Sequence, residues 1–152
     1  FLIYFLILMF PFSQKEIVSF EEIKNIHSFE TFEKIMIEKG FELYPEERIW
    51  TEQNEFIAAA VGLKLDYSYN LDPSTDNAQM WAAWYNDNTF RFDTVRDIDY
   101  SNVFSDVKNE CEFYGVLESR LKERHSCYTC PGSKYTGKIC FMKQTIRTLI
   151  PD

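Results

Sequence analysis

A chain of 152 residues, 45% hydrophobic and 26% charged, has the size and balance of one globular domain with a real core, which excludes a collagen-like, disordered or multi-span membrane protein. Its 17% aromatic content, beside only 5 Gly and 5 Pro, suits a sheet-rich fold. With 16 Lys and Arg against 24 Asp and Glu the net charge is -8, so the basic excess that phosphate contacts need is missing and neither nucleic acid nor an anionic lipid surface is an expected partner.

The chain opens on an uncharged apolar run, FLIYFLILMFPF from Phe1 to Phe12, followed by Ser13 and Gln14 and an abrupt shift to KEIVSFEEIK. That run has the form of the apolar region of a secretory signal peptide. It is shorter than the roughly 20 residues a membrane span needs, and Pro11 sits near its end. Residues 1–14 are therefore read as a signal peptide without its first few residues, removed on export and leaving no stable membrane anchor. The expected location is secreted or periplasmic. A buried N-terminal strand or helix is the competing reading. With no Cys near the cleavage region, lipid attachment is not indicated.

Residues 15–152 read as a single α+β domain. Ser19-Phe20-Glu21-Glu22 has the form of a capping box opening a short helix through His27. Ser28 caps a second helix, on which Phe29, Phe32, Ile35 and Met36 share one face and Lys39-Gly40 supplies the stop. Strands are expected at Phe41–Tyr44, Leu63–Tyr67, Met80–Tyr85 and Phe90–Asp93, with a loop over Asp72–Asn77 and a hairpin turn at Asn86-Asp87-Asn88. The order then repeats. Asp99 or Ser101 caps a helix carrying Val103, Phe104, Val107 and Cys111, and strands follow at about Cys111–Leu117, Arg124–Cys130 and Lys138–Lys143. Halves of about 15–98 and 99–152, each a helix followed by a meander, imply a pseudo-duplicated architecture: an antiparallel sheet with two helices on one face.

The apolar leader ending in Ser13-Gln14, the FEKIMIEKGFELY helix-to-strand passage and the late CYTCPGSKYTGKICF hairpin resemble uncharacterised small secreted proteins of Bacteroidota-type bacteria. That resemblance implies export and carries no function. The layout is similar by analogy to the TATA-binding-protein-like fold, and the analogy extends to architecture alone.

Cysteine is the residue type whose arrangement invites chemistry. Cys127-Tyr128-Thr129-Cys130 is a C-x-x-C, but Pro131-Gly132-Ser133 follows at once, so it ends a strand instead of opening the helix that would activate a thiolate. A zinc site of His125, Cys127, Cys130 and Cys140, with Cys111 as an alternative to the histidine, is possible in ligand type and lacks the usual second C-x-x-C. In an exported chain the four cysteines are instead disulfide candidates. Side-chain parity favours Cys111 with Cys127 and Cys130 with Cys140, and exchanges the two assignments if Tyr128 takes the core face.

Neither His27 nor His125 has a catalytic signature around it, and Asp72, Asp76, Asp87 and Asp93 lack the spacing of a calcium loop. No catalytic residue and no cofactor are assigned. Trp81 and Tyr85 share one strand face and Trp84 takes the other. Aromatics on the side without helices would form an interaction surface, or merely pave a half-wet sheet. The expected function is an exported, non-catalytic binding or interaction module for an unknown protein or small ligand. The alternative is a thiol- or zinc-dependent activity centred on Cys127 and Cys130.

Overall fold

The computed structural model describes residues 15–43, 63–69 and 78–152. The leader, the loop at 72–77 and Tyr44 lie outside the described residues. The elements run α1 (Phe20–Lys24), α2 (Phe29–Glu38), β1 (Glu42–Leu43), β2 (Leu63–Tyr69), β3 (Met80–Tyr85), β4 (Phe90–Thr94), α3 (Asp97–Glu110), β5 (Glu112–Glu118), β6 (Arg124–Thr129), β7 (Lys138–Met142) and β8 (Thr145–Leu149).

The first helices start and stop as local chemistry dictates. Ser19 Oγ accepts the Glu22 amide while the Glu22 carboxylate accepts the Ser19 amide, a reciprocal capping box. Burial alone would raise the Glu22 pKa, but its bonds to Lys39 and Ser19 hold it below the ordinary carboxylate value. Ser28 caps α2 the same way, with Thr31 returning the bond. Gly40, at φ 81°, ends α2: its amide bonds Ile37 and the Phe41 amide bonds Met36, satisfying the last carbonyls.

The third helix corrects the expected cap. Arg96 occupies the N-cap of α3 without a side-chain capping bond, and Asp99 lies inside the first turn, fully buried. Its carboxylate accepts the Ile17 amide (2.9 Å) and the Thr94 hydroxyl (2.9 Å), with Arg96 3.5 Å away. Asp99 therefore ties α3 to β4 and to the segment entering α1. Ser101 is exposed on the helix.

The eight described strands form one antiparallel sheet in the order β1-β2-β3-β4-β8-β7-β6-β5. Each helix-bearing half contributes a four-strand meander, and the meanders meet where β4 pairs with β8. Strand β8 is the element that sequence patterning misses. Lys143 (φ 30°) and Gln144 (φ 55°) turn the chain with two left-handed residues, so the expected strand through Lys143 stops at Met142 and reverses at once.

Register assigns the faces. Ala82, Phe92, Ile146 and Phe141 stand in line across β3, β4, β8 and β7. Both helical stripes meet that face: Phe32 packs on Trp84 (5.4 Å) and Phe92 (6.1 Å), and Phe104 on Phe141 (4.9 Å). Val103, Val107 and Met36 complete one continuous core, so the helices lie on a single side as expected. Complete burial of a Phe or Trp in such a core contributes about 2–3 kcal/mol. Gly137, at φ 84°, passes so close to β8 that a Cβ there would lie 2.3 Å from the Leu149 carbonyl oxygen.

Candidate functional site

The opposite face carries the second register row: Ala83, Arg91, Arg147, Cys140, Cys127 and Gly115 across β3, β4, β8, β7, β6 and β5. Directly opposed across β6 and β7, Cys127 and Cys140 form a disulfide with Cα atoms 4.1 Å apart. Tyr128, paired with Ile139, takes the core side, and Cys130 follows it there to bond Cys111 at the end of α3. The parity-favoured pairing of Cys111 with Cys127 and Cys130 with Cys140 is thus exchanged, for the reason that Tyr128 occupies the core. The two cysteines of the C-x-x-C belong to different disulfides. The zinc set of His125, Cys127, Cys130 and Cys140 has no thiolate to offer, and no group of three or more potential metal ligands is assembled among the described residues.

Although no described helix lies over this face, its centre is sealed. His125, Cys127 and Cys140 are fully buried, and Arg147 is 6% exposed. Part of the cover is a charged cluster. Arg91 donates to Asp93 (2.8 Å) and reaches Glu123 at 3.5 Å; the same Glu123 oxygen lies 3.9 Å from Arg147 and 3.7 Å from His125 Nε2. Asp93 also accepts the Thr145 hydroxyl (2.6 Å). Two guanidinium groups therefore share Glu123, and among the described residues Arg91 alone pairs with a second carboxylate.

The consequence is a set of unmet polar atoms. Glu123 Oε2, both ring nitrogens of His125 and Arg147 Nε are buried with no hydrogen-bond partner among the described residues. Burial and then the neighbouring Arg147 charge push the His125 pKa below its ordinary value, so the ring is neutral at pH 7. Burial, with repulsion from Arg91, lowers that of Arg147 as well. The Arg147 guanidinium lies 5.7 Å from the centre of the Tyr85 ring, a cation–π contact.

Beside this cluster a cleft of about 260 Å³ opens between the β3–β4 turn, the β5–β6 turn and the segment leaving β8. Tyr85, Asp87 and Thr89 form one wall, Glu118, Ser119 and Arg120 a second. Arg147, Leu149 and Ile150 line the third, and Asp152 also faces the cleft. Asp87 is held in position by accepting the Thr89 amide (3.1 Å) and hydroxyl. Asp87 thus pins its turn, and Asp93 pairs with Arg91.

The aromatic surface expected at Trp81, Trp84 and Tyr85 is corrected by these positions. Trp84 is 2% exposed in the core and Tyr85 is 8% exposed beneath Arg147, leaving Trp81 half-buried on the outer side. Large exposed apolar side chains stand instead on edge strand β5, at Phe113 (61%), Tyr114 and Val116. Comparison of the chain with protein-family models, curated proteins and solved structures finds no match.

The disulfide cysteines were visible from residue type, and Tyr85 and Asp87 from their turn. Arg147, Glu123 and His125 as a cluster were not, because a buried polar group leaves no periodic signal. The one available clue was the isolated arginine in Thr145-Ile146-Arg147-Thr148-Leu149, whose alternation marks a strand with a charged side.

Proposed function

We propose that this chain is an exported, non-catalytic binding module and that its ligand seat is the cleft beside Arg147. One observation carries the seat: a buried guanidinium lines an open cleft, next to a buried histidine and carboxylate, and its Nε, both ring nitrogens and one carboxylate oxygen have no hydrogen-bond partner among the described residues. A buried donor or acceptor left without its hydrogen bond costs roughly 1–3 kcal/mol, so four such atoms in one cluster favour a site that is completed from outside.

Export is supported by the apolar leader, by the resemblance to secreted proteins and by two disulfides, which persist in oxidising compartments. No helix among the described residues is long and apolar enough to cross a membrane. Among the described residues burial begins at Ile17 and Val18, close behind the expected cleavage region.

Two measurements test this reading. N-terminal sequencing of protein recovered from cells is expected to begin near Gln14 or Lys15, in an extracytoplasmic fraction; a soluble cytoplasmic chain retaining Phe1 to Phe12 would refute export. Amide chemical shifts recorded against a panel of small polar molecules are expected to move at the Asp87 and Ser119 turns and in β8, while those of Phe113 to Val116 stay in place.

A further inference from the structure

We propose that the ligand of the cleft is a small zwitterion of the free amino-acid class, its carboxylate on the Arg147 guanidinium, its ammonium beside Asp87 and its aliphatic side chain against Leu149 and Ile150. The inference rests on the cleft being a ligand seat and goes on to name the chemistry it takes.

Charge selects the class. Arg147 is more than nine-tenths buried, its Nε has no hydrogen-bond partner among the described residues, and the one described carboxylate within 4 Å of it, Glu123 at 3.9 Å, is shared with Arg91. A guanidinium so placed presents a fork suited to a carboxylate. A simple anion is a poor occupant, because Asp87, Glu118 and Asp152 line the same cleft and the whole chain carries a net charge of -8. A simple cation would leave the buried Arg147 guanidinium, which lines the same cleft, without a carboxylate of its own. A molecule carrying an ammonium and a carboxylate on the same carbon offers a group to each.

Size and polarity narrow it further. A cleft of about 260 Å³ lies just below the usual range for ligand pockets, roughly 300–1,000 Å³, and suits a single amino acid better than a longer peptide. Leu149 and Ile150 give the ligand's side chain an apolar wall, whereas a ligand made only of hydroxyl groups would leave that wall wet.

The test is calorimetric titration of the disulfide-bonded protein with L-leucine, 4-methylpentanoate, 3-methylbutylamine and glucose, with amide shifts recorded alongside. L-leucine is expected to bind and to move the Asp87 and β8 amides. The two analogues, each lacking one charge, should bind at least about tenfold more weakly. Arg147→Leu should abolish L-leucine binding and Arg147→Lys should weaken it. Should those variants fail to fold, the exposed Asp87→Asn substitution is expected to weaken L-leucine binding while leaving 4-methylpentanoate unchanged. Equal binding of 4-methylpentanoate and L-leucine would overturn the zwitterion in favour of an anion seat. Glucose moving the cleft amides while L-leucine does not would overturn the ligand class and keep the binding module. Silence of the cleft towards all four probes would overturn both.

Discussion

Asp99 shows how a single side chain can serve the fold in place of an expected local task. Its carboxylate accepts from residues 17 and 94, which are distant in sequence or in a different element, so its loss would strand the buried Ile17 amide and take from the Thr94 hydroxyl its shortest bond. Asp99→Ala is expected to destabilise the protein by about 2–4 kcal/mol, read from urea midpoints, with Asp99→Asn recovering part of the loss. His125 makes the corresponding pH prediction. Because burial and Arg147 hold its pKa below 6.5, folded and unfolded chains are both neutral there above that pH, and the residue adds no slope. Below about pH 6.5 the unfolded chain takes up a proton that the folded one refuses, so stability falls as pH drops. The urea midpoint should decline between pH 7.5 and 5.5, and His125→Gln should flatten that decline; a flat wild-type profile would refute the assignment.

At the scale of elements, what was legible depended on whether neighbours along the chain decide the outcome. Ser19 with Glu22, Ser28, and Gly40 set helix ends through bonds spanning a few residues, and each does so as the sequence suggests. The faces of α2 followed from spacing alone. Strand β8 was hidden because its turn, Lys143-Gln144, carries none of the Asn-Gly chemistry that favours two positive φ values. The same cause yields a prediction. Replacing Lys143→Asn and Gln144→Gly together should raise stability by about 1 kcal/mol, since both replacements tolerate the left-handed region. The exposed bond from Gln144 to Asp97 (2.8 Å) is lost in the exchange, a small offset at the surface. Thermal unfolding checks this, and an unchanged midpoint would show that the turn carries no strain. The disulfide pairing was undecidable from parity because the face of β6 is fixed by Tyr128 meeting Ile139, a contact set by register between strands.

At the scale of the molecule, the disulfides close segments of 19 and 13 residues, for which chain-entropy arguments give about 3 kcal/mol each. Replacing either pair with alanine should lower stability by that order. Denatured, unreduced protein should show almost no free thiol, and peptide mapping should recover Cys111 with Cys130 and Cys127 with Cys140; a fragment joining Cys111 to Cys127 would refute the arrangement. The strand order carries a further meaning for how the protein is made. Strand β8 follows every other described strand in the chain, yet it sits in the middle of the sheet, between β4 and β7. While the chain is still emerging from the ribosome or crossing a translocation pore, the two meanders exist without the piece that joins them, each presenting a bare edge. The cysteines of both disulfides precede β8, so oxidation can staple the second half before the sheet is closed. Delivery of residues 145–149 is then the closing step, and a chain cut short before Thr145 would be left as two open half-sheets prone to pair with other chains.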